Sequence, residues 1–594
     1  MTTPSATSPH PAATAGAAMP TRPAFVADGP WMQHFDHPTP WDTHYPPLSM
    51  PDMFLASAAR NPAASMLDFM GRSYSYASVE RAVRRAAAGF QALGIGPGDR
   101  VGLYLPNVPH YVAAYYGAML AGAIVVNFSP LYTVDELAHQ VEDSGTKLLV
   151  TVSAAALLPN AVKVLARSSL QRLVVGSVAG VLPPLKSLAY RLFKRAESVA
   201  LPTDTAITRF SALIANDGAF QPASIDAERD VALIQYTGGT TGTPKGARLT
   251  HQNLTANARQ VCAIDPDIGG ADRILGVLPF FHVFANTAVL NRSVHNGAQI
   301  VMLPRFEAGA ALAAVNRTRV TAMPGVPTMY QALLDHPAIG KTDWSSLRVC
   351  ISGGAPMAVE LKARFEAVTG AKLVEGYGLT ESSGVVSCNP YAGDGQDGSI
   401  GQPLPGTMVR IVDRDDPTRP AAPGVPGELV VAGPQIMQGY WNRADADADS
   451  FVDGWLRTGD VAVIDDRGYV RIVDRLKDMI AVGGFKVYPS TIEKILYQNS
   501  AVKEALVIGV PDAYRGEAPR AFVTLNDDAG HDSTGQGTDA QALATWLNAQ
   551  LGKHERVDQI VIRDTLPKTM IGKLDRKALR AELAVAEVKA EGQK

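Results

Sequence analysis

Cysteine is scarce in this chain of 594 residues, and its three cysteines stand far apart at Cys262, Cys350 and Cys388. An odd number without Cys-x-x-Cys spacing argues against a disulfide framework and against a zinc site. Proteins without disulfides are typical of reducing compartments. We therefore expect the protein to reside in the cytoplasm.

The sequence also lacks an excess of charge, since 54 basic residues face 57 acidic ones and the net charge is −3. Without a basic surplus there is no general attraction to phosphate backbones, so nucleic acid is not an expected partner. No apolar run behind a basic start resembles a signal peptide. Residues 1–25 are rich in Ala, Thr and Pro, and we predict a disordered or loosely ordered segment over residues 1–45.

One nearly uncharged stretch, from Tyr111 to Phe128, is long enough to raise the question of a membrane span. It contains Gly117 and Gly122 and then changes to the β-branched run 124–126. We interpret it as a buried helix followed by a buried strand.

The length predicts several domains or subdomains rather than one core. From about residue 50 to 410, helical patterns such as 76–93 alternate with short apolar runs such as 101–105, 147–151 and 348–352. This alternation predicts an α/β fold with mostly parallel sheets. Turn signals after residue 405 predict an antiparallel, barrel-like portion. We expect a large domain over 46–474 and a small mobile α+β lid over 475–594.

The run from Tyr236 to Gly246 follows an apolar, strand-like segment and contains four glycines. Glycines let a backbone curl around an anion, and the hydroxyls, freed amides and single lysine of the run suit a polyphosphate. It is not the ordinary P-loop, because its lysine follows a proline. A flexible surface connection is the alternative. The candidate phosphate-binding residues are Thr237, Gly238, Gly239, Thr240, Thr241, Gly242 and Lys245.

This run resembles the ATP-binding signature of adenylate-forming enzymes, a superfamily of acyl-CoA synthetases, luciferases and peptide-synthetase adenylation domains. Further segments resemble the other signatures of that superfamily, in the same order. These segments are 353–356, 375–381, 458–460, 474–478, 483–489 and 566–573. Together the signatures span about residues 230–575, and the resemblance extends upstream to cover nearly all but roughly the first 45 and last 15 residues.

The resemblance implies ATP and Mg²⁺ as ligands of the large domain. It places the turn 353–356 against adenine, Thr380 at the α-phosphate, and Glu381 with Thr237 on Mg²⁺. A carboxylate in a tight turn suits the two hydroxyls of a ribose, and the resemblance implies this role for Asp460 together with Arg475. The implied ATP-binding residues outside the loop are Gly354, Ala355, Pro356, Gly376, Tyr377, Gly378, Asp460 and Arg475.

The last part of the chain resembles the mobile lid of the same enzymes. Lys477 matches the hinge, and Lys573 matches the catalytic lysine at the end of the terminal signature. Glycines in the segment 483–489 permit close passage of an extended thiol-bearing arm. The resemblance assigns coenzyme A to this segment, which contributes Gly483, Gly484, Phe485 and Lys486.

An aromatic cluster over 278–284 surrounds His282, which the resemblance places beside the substrate carboxyl as a catalytic residue. For the phenylalanines, a packed core segment is the alternative. No arginine or acid here suggests a clamp for a charged substrate. The segments 237–241, 389–391 and 439–441 resemble bacterial long-chain fatty-acyl-CoA synthetases.

We therefore expect a long-chain fatty acid–CoA ligase that uses ATP, Mg²⁺ and coenzyme A to activate a medium- or long-chain fatty acid. A fatty-acyl-AMP ligase that loads a carrier protein, an aryl-CoA ligase, and a silent lipid or nucleotide sensor are the alternatives. A homodimer is also left open. The segment from Pro183 to Leu201 carries Lys186, Arg191, Lys194 and Arg195 among apolar residues, which suggests peripheral membrane contact or else an ordinary surface helix.

Overall fold

We describe the protein from a computed structural model of the full chain. The structure describes residues 23, 29–194, 197–237, 244–483, 485–512, 514–526, 539–569 and 573–591, with side chains to residue 583. The predicted phosphate-binding residues Gly238 to Gly242, together with Gly484 and Arg195, therefore lie outside the described residues.

The strands alternate with helices over most of the chain. In chain order the strands are β1 (Ser65–Phe69), β2 (Arg72–Ser75), β3 (Arg100–Tyr104), β4 (Ile124–Phe128), β5 (Leu148–Val152), β6 (Arg172–Gly176), β7 (Ile207–Arg209), β8 (Val231–Tyr236), β9 (Gly246–Thr250), β10 (Arg273–Gly276), β11 (Gln299–Met302), β12 (Ala322–Gly325), β13 (Val349–Gly353), β14 (Lys372–Tyr377), β15 (Ser387–Cys388), β16 (Gln402–Pro403), β17 (Met408–Val412), β18 (Gly427–Ala432), β19 (Phe451–Val452), β20 (Trp455–Ile464), β21 (Val470–Arg475), β22 (Ile480–Val482), β23 (Phe485–Val487), β24 (Val502–Asp512), β25 (Gly516–Leu525) and β26 (Ile560–Ile562).

The helices lie between the strands along the chain. They are α1 (Met50–Arg60), α2 (Tyr76–Ala92), α3 (Pro109–Leu120), α4 (Val134–Ser144), α5 (Leu158–Arg167), α6 (Val178–Val181), α7 (Pro184–Phe193), α8 (Phe210–Leu213), α9 (His251–Ala263), α10 (Val283–Ala285), α11 (Arg292–Asn296), α12 (Ala308–Thr318), α13 (Pro327–Leu334), α14 (Val359–Thr369), α15 (Ala444–Ser450), α16 (Pro489–Leu496), α17 (Ala540–Asn548) and α18 (Arg576–Glu591).

Two largely parallel sheets form the body of the large domain, which confirms the predicted α/β class. One has the order β16-β15-β14-β13-β12-β10-β11-β1-β2, and the other has the order β7-β6-β5-β3-β4-β8-β9. Antiparallel pairs occur only toward their edges among the described strands, at β14–β15, β15–β16, β1–β2 and β8–β9. Parallel strands buried on both faces need continuous apolar runs, as β4 and β5 show.

The antiparallel portion predicted after residue 405 is also confirmed. Strands β17, β18, β20 and β19 form an antiparallel sheet, and β21 adds to β20. The lid has its own sheet, in the order β23-β22-β25-β24 with β26 beside β25.

The buried apolar residues form separate cores in the two parts of the chain. The large core runs from Trp31 to Val470, and the lid cores begin at Ile480. The predicted boundary at residue 474 falls between them. A lid with its own core can move as a unit, because its motion exposes little of its interior.

The uncharged stretch from Tyr111 to Phe128 runs from helix α3 into strand β4, and its residues within these two elements are all buried. Over the part of the chain that the structure describes, no helix has the length and apolarity needed to cross a membrane.

The predicted loose N-terminal segment does not extend to residue 45. Trp31 is only 2% exposed and packs against Gly468, where a Cβ would lie 2.5 Å from the Trp31 Cα. Asp36 accepts a hydrogen bond from Tyr469 and pairs with Arg467. Residues 29–45 are therefore part of the folded large domain, because the turn between β20 and β21 gives their aromatic and acidic side chains partners.

Candidate active site

The candidate site begins where strands β13 and β14 end. The two strands are parallel, with Gly353 opposite Gly376, so both end at the same edge of the sheet. The predicted adenine turn Gly354–Pro356 follows one strand, and the segment with Thr380 and Glu381 follows the other. The edge formed by strand carboxyl ends is where open α/β sheets bind ligands.

Glycine is required in both turns. Gly354 has φ +85°, a conformation that side chains disfavour. At Gly378 a Cβ would lie 1.9 Å from the carbonyl oxygen of Gly384, so the backbone passes too closely for any side chain. This close passage positions the short 3₁₀ turn Thr380–Ser382, which presents Glu381.

Asp460 is held from two sides. Strands β20 and β21 pair Asp460 with Arg475, whose Nε lies 3.2 Å from Asp460 Oδ1. Tyr377 donates a 2.5 Å hydrogen bond to Asp460 Oδ2. A carboxylate oxygen can accept two hydrogen bonds, so both oxygens of Asp460 can still accept hydrogen bonds from ribose hydroxyls. The structure thus brings together three residues that come from three different strands.

Lys573 reaches this site from the lid. A Cβ built on Gly354 would lie 2.6 Å from Lys573 Cε and 3.2 Å from its Nζ. Burial lowers the pKa of Lys573 to about 8, the nearby Arg475 contributes to the shift, and Asp460 opposes it. The predicted catalytic lysine therefore lies against the predicted adenine turn, beside the predicted ribose site.

His282 faces the same space. Burial lowers the pKa of His282 to about 3, and the charge of Lys573 contributes to the shift. Its Nδ1 accepts a 3.3 Å hydrogen bond from the Phe284 backbone N–H at the start of α10. A neutral imidazole that accepts at Nδ1 carries its proton on Nε2, which can donate to a carboxylate.

Glu381 lies close to the base of the phosphate loop, which is formed by Thr237 and Lys245. The Thr237 N–H donates to the Lys245 carbonyl at 2.9 Å, which closes the loop at its base between β8 and β9. Lys245 Nζ lies 5.1 Å from the centre of the Tyr440 ring, and the Tyr440 hydroxyl donates to Glu381 Oε1 at 2.6 Å. The predicted phosphate lysine and the predicted metal ligand are thus joined by one tyrosine.

The loop lies within a β-hairpin rather than between a strand and a helix. Strand β9 returns antiparallel to β8, and α9 begins after it with a capping box between Thr250 and Asn253. The ordinary P-loop instead leads directly into a helix N-terminus. This topology agrees with the sequence argument that excluded that motif.

Tyr440 is the site residue that sequence reasoning missed. In the sequence, residues 439–441 indicated only a resemblance to bacterial long-chain fatty-acyl-CoA synthetases. Tyr440 lies nearly two hundred residues after Lys245, so nothing links the two in the sequence. A bridge between Ala247 and Tyr440 brings them together. An aromatic residue after a glycine carries no signal of such a pairing, so the sequence offered no route to it.

The predicted coenzyme A segment lies elsewhere on the lid. Phe485 is 60% exposed and stacks on His554 at 4.9 Å, while Lys486 pairs with Asp415 at 3.6 Å. Gly483, with φ +56°, is exposed at the tip of the β22–β23 hairpin. The lid therefore directs Lys573, not this hairpin, toward the adenine turn.

The predicted hinge residue Lys477 is exposed in a 3₁₀ turn. On either side of it, the chain is fixed to the lid. Asp474 accepts hydrogen bonds from the Ser490 backbone and hydroxyl, and Asp478 lies within 3.7 Å of Arg576. The exposed lysine thus lies between two acidic residues that are held by the lid.

No cluster of three or more His, Cys, Asp or Glu side chains that could hold a metal ion occurs within the described ranges. A metal bound together with a nucleotide needs fewer protein ligands, because phosphate oxygens supply the others.

Comparison with known protein families gives two matches in chain order. The AMP-binding enzyme model matches residues 54–441, and the model of the AMP-binding enzyme C-terminal domain matches residues 491–573. The first covers most of the two parallel sheets, and the second covers most of the lid.

Individual relatives match almost the whole chain. A long-chain-fatty-acid–CoA ligase of Bacillus subtilis (strain 168) is 38% identical over 558 residues, covering 93% of this chain and 98% of the relative. A feruloyl-CoA synthase of Amycolatopsis sp is 36% identical over 518 residues, covering 87% and 95%. The crystal structure of ATP-bound MatB from Rhodopseudomonas palustris aligns with a TM-score of 0.78 at 28% identity, covering 90% of this chain and 99% of that one. With these matches over both domains, the chain belongs to the AMP-binding enzyme family.

Proposed function

We propose that the protein activates a medium- or long-chain fatty acid with ATP through an acyl-adenylate, and passes the acyl group to coenzyme A. The observation that carries this proposal is the position of Lys573, which the lid places against Gly354 beside Asp460. The likeness to a long-chain-fatty-acid–CoA ligase supports the choice of acid.

In the first step, a carboxylate oxygen of the fatty acid attacks the α-phosphorus of ATP. A new oxygen–phosphorus bond forms, and the bond to the bridging oxygen breaks to release pyrophosphate. Lys573 and Thr380 stabilise the negative charge that collects between carboxylate and phosphate, a contribution that is large where water is excluded. His282 donates from Nε2 to the substrate carboxylate, and Asp460 with Arg475 holds the ribose.

Mg²⁺ is the metal that this reaction implies, and the residues present fit it. Glu381 offers a half-buried carboxylate beside Lys245 and the base of the phosphate loop, where the β- and γ-phosphates would lie. Carboxylate and hydroxyl oxygens are the ligands that Mg²⁺ prefers, so we propose Glu381 with Thr237. When bound, the ion neutralises charge on the departing pyrophosphate.

In the second step, the thiol of coenzyme A attacks the acyl carbon and AMP leaves. We propose that the lid turns about Lys477, so that Lys573 withdraws and the hairpin with Gly483 and Lys486 takes its place. The exposure of Phe485 and Lys486 in the present arrangement supports this assignment, since Phe485 buries little surface and Lys486 gives up only an exposed ion pair with Asp415.

The rate of acyl-adenylate formation should fall as the pH rises through about 8. Only the protonated Lys573 stabilises the transition state, and its lowered pKa of about 8 means that the cation is present below that pH and lost above it. The kcat/KM for ATP should then decline about tenfold per pH unit above the pKa. In Lys573→Arg the guanidinium stays charged, so this alkaline limb should disappear even if the rate is lower. An unchanged limb in that variant would assign the titration to another group.

The experiment that tests the proposed function is a pyrophosphate-release screen over acids from acetate to stearate, with benzoates and ferulate, in the presence of coenzyme A. We expect the highest kcat/KM for the longer fatty acids and an acyl-CoA product. Release without thioester formation would favour a fatty-acyl-AMP ligase. Preference for aromatic acids would favour an aryl-CoA ligase, a class to which the feruloyl-CoA synthase relative belongs by name. If no acid caused release of pyrophosphate, the protein would be a silent lipid or nucleotide sensor.

We further propose the cytoplasm as the compartment, on the strength of the three free and buried cysteines, Cys262, Cys350 and Cys388. The homodimer that the sequence leaves open stays a prediction. The mass of the particle in solution tests it.

A further inference from the structure

Helix α7 exposes an apolar face. Among its residues, Leu185 is 83% exposed, Leu188 56%, Leu192 55% and Phe193 85%. Within the described part of the chain, these four account for a third of the strongly exposed large apolar side chains, twelve in all, and they lie on one helix of ten residues. Scattered exposed leucines are normal, but a contiguous group marks an interaction surface.

The spacing of these residues defines the face. Positions 185, 188 and 192 recur at three and four residues, so they lie on one side of the helix, with Phe193 at its edge. Lys186 and Arg191 flank this side to left and right. On the opposite side, the half-buried Tyr190 turns toward the protein. The helix is amphipathic with its apolar side outward, the reverse of an ordinary surface helix.

The helix is fixed in this orientation by the edge hairpin β1–β2. Lys186 Nζ donates to the Met70 carbonyl at 2.8 Å in the turn of that hairpin. Just before the helix, Arg72 donates to the Gly180 carbonyl at 2.8 Å, and the Tyr74 hydroxyl donates to the Val181 carbonyl at 2.8 Å. The apolar side chains are therefore presented on a held element and not on a loose segment.

We propose that this face of α7, with Leu185, Leu188, Leu192 and Phe193, docks on the headgroup region of an anionic lipid bilayer. Basic residues at both borders of an apolar face match such a surface, because lipid phosphates attract their positive charge while Lys186 keeps its contact with Met70. Each basic residue near an anionic surface contributes roughly a fivefold gain in binding.

A second copy of the chain fits the face less well. A stable dimer buries about 800 Å² on each partner, and the side of one ten-residue helix offers much less. The like charges of Lys186 and Arg191 would also meet in a symmetric pair of helices. The bilayer is in addition the place where long acids accumulate, although the proposal rests on the helix and not on the proposed function.

The test is flotation of the full-length protein with vesicles of phosphatidylcholine and phosphatidylglycerol in a ratio of about three to one. The variant Leu185→Ser/Leu188→Ser/Leu192→Ser/Phe193→Ser should lower the bound fraction at least tenfold. Arg191→Gln, which leaves the Lys186 contact with Met70 in place, should weaken binding to these vesicles but have little effect with phosphatidylcholine alone, where binding is already weak. The control Val368→Ser/Val425→Ser removes apolar residues that are 46% and 48% exposed elsewhere, and should bind as the wild type does.

Pyrophosphate release with octanoate, a soluble acid, checks that each variant is folded, and it should stay unchanged because α7 contributes no residue to the candidate site. Equal flotation of the four-serine variant and the wild type would overturn the proposal. So would a wild-type dimer that the four-serine variant converts to a monomer while neither binds vesicles, since the face would then be an interface between copies. Absence of turnover of octanoate and of the longer fatty acids in the wild type, with flotation as expected, would contradict the proposed function and leave this inference standing.

Discussion

Lys573→Ala should lower the rate of acyl-adenylate formation by about 10²–10³-fold, the usual cost of removing one donor from a developing oxyanion. The side chain reaches the adenine turn at Gly354 from the lid, so its loss removes the cation without disturbing the large domain. Thioester formation from supplied acyl-adenylate and coenzyme A should stay within a few-fold of the wild type, because in the second step the lysine has withdrawn. Fatty-acid-dependent ATP–pyrophosphate exchange measures the first step, and thiol consumption measures the second.

The matched control is Lys568→Ala. Lys568 lies shortly before Lys573 in the same terminal segment, but it pairs with Glu504 on the lid at 2.5 Å and is 40% exposed. Its loss should affect neither step by more than a few-fold, since an exposed ion pair contributes little. Equal loss of both steps in Lys573→Ala, with the control intact, would contradict a lid that changes position between the two reactions.

Much of the architecture could be predicted because it depends on local patterns. Apolar runs between helical periods predict parallel strands, and β3, β5 and β13 lie where those runs occur. Gly354 and Gly378 mark turns in the sequence because the structure requires glycine at both positions. Gly354 has a positive φ, and the backbone at Gly378 passes too close to Gly384 for a side chain. Local signals of this kind can be recognised in a single sequence.

The remaining features depend on pairing between distant segments. Tyr440 joins Lys245 to Glu381 only because the chain returns to β9 after a long excursion. Trp31 is buried because the distant β20–β21 turn covers it. Its neighbours in sequence are polar and rich in proline, so the sequence alone predicted a loosely ordered segment. The outward apolar face of α7 has the same cause: periodicity shows which residues share a side, but not which side meets the protein.

The electrostatics of the site also needed the structure. A lysine motif does not reveal that burial lowers the pKa of Lys573 to about 8, or that His282 beside it is held neutral with a pKa of about 3. Both shifts follow from burial and from the proximity of charged groups. They support a division of roles in which the lysine supplies charge and the histidine supplies only a hydrogen bond.

Glu381→Gln should lower kcat/KM for adenylate formation roughly 100-fold or more, and raise the Mg²⁺ concentration needed for half-maximal rate. An amide has the size of the carboxylate but lacks its charge, so the fold should persist while the metal is held less tightly. The Tyr440 hydroxyl, which donates to Glu381 Oε1 at 2.6 Å, can donate equally to an amide oxygen. The measurement is pyrophosphate release as a function of Mg²⁺ at saturating fatty acid.

The matched control for Glu381→Gln is Tyr440→Phe, which keeps the carboxylate and the ring over Lys245 but removes the hydrogen bond that orients Glu381. Because partners behind a metal ligand tune its affinity less than the ligand itself, we expect a loss of roughly 10-fold with a smaller shift in Mg²⁺ dependence. If Glu381→Gln reached half-maximal rate at the wild-type Mg²⁺ concentration, the carboxylate would not be the metal ligand. If Tyr440→Phe instead lost as much as Glu381→Gln, the hydroxyl itself would contact the phosphates, and Tyr440 would be the more important of the two groups.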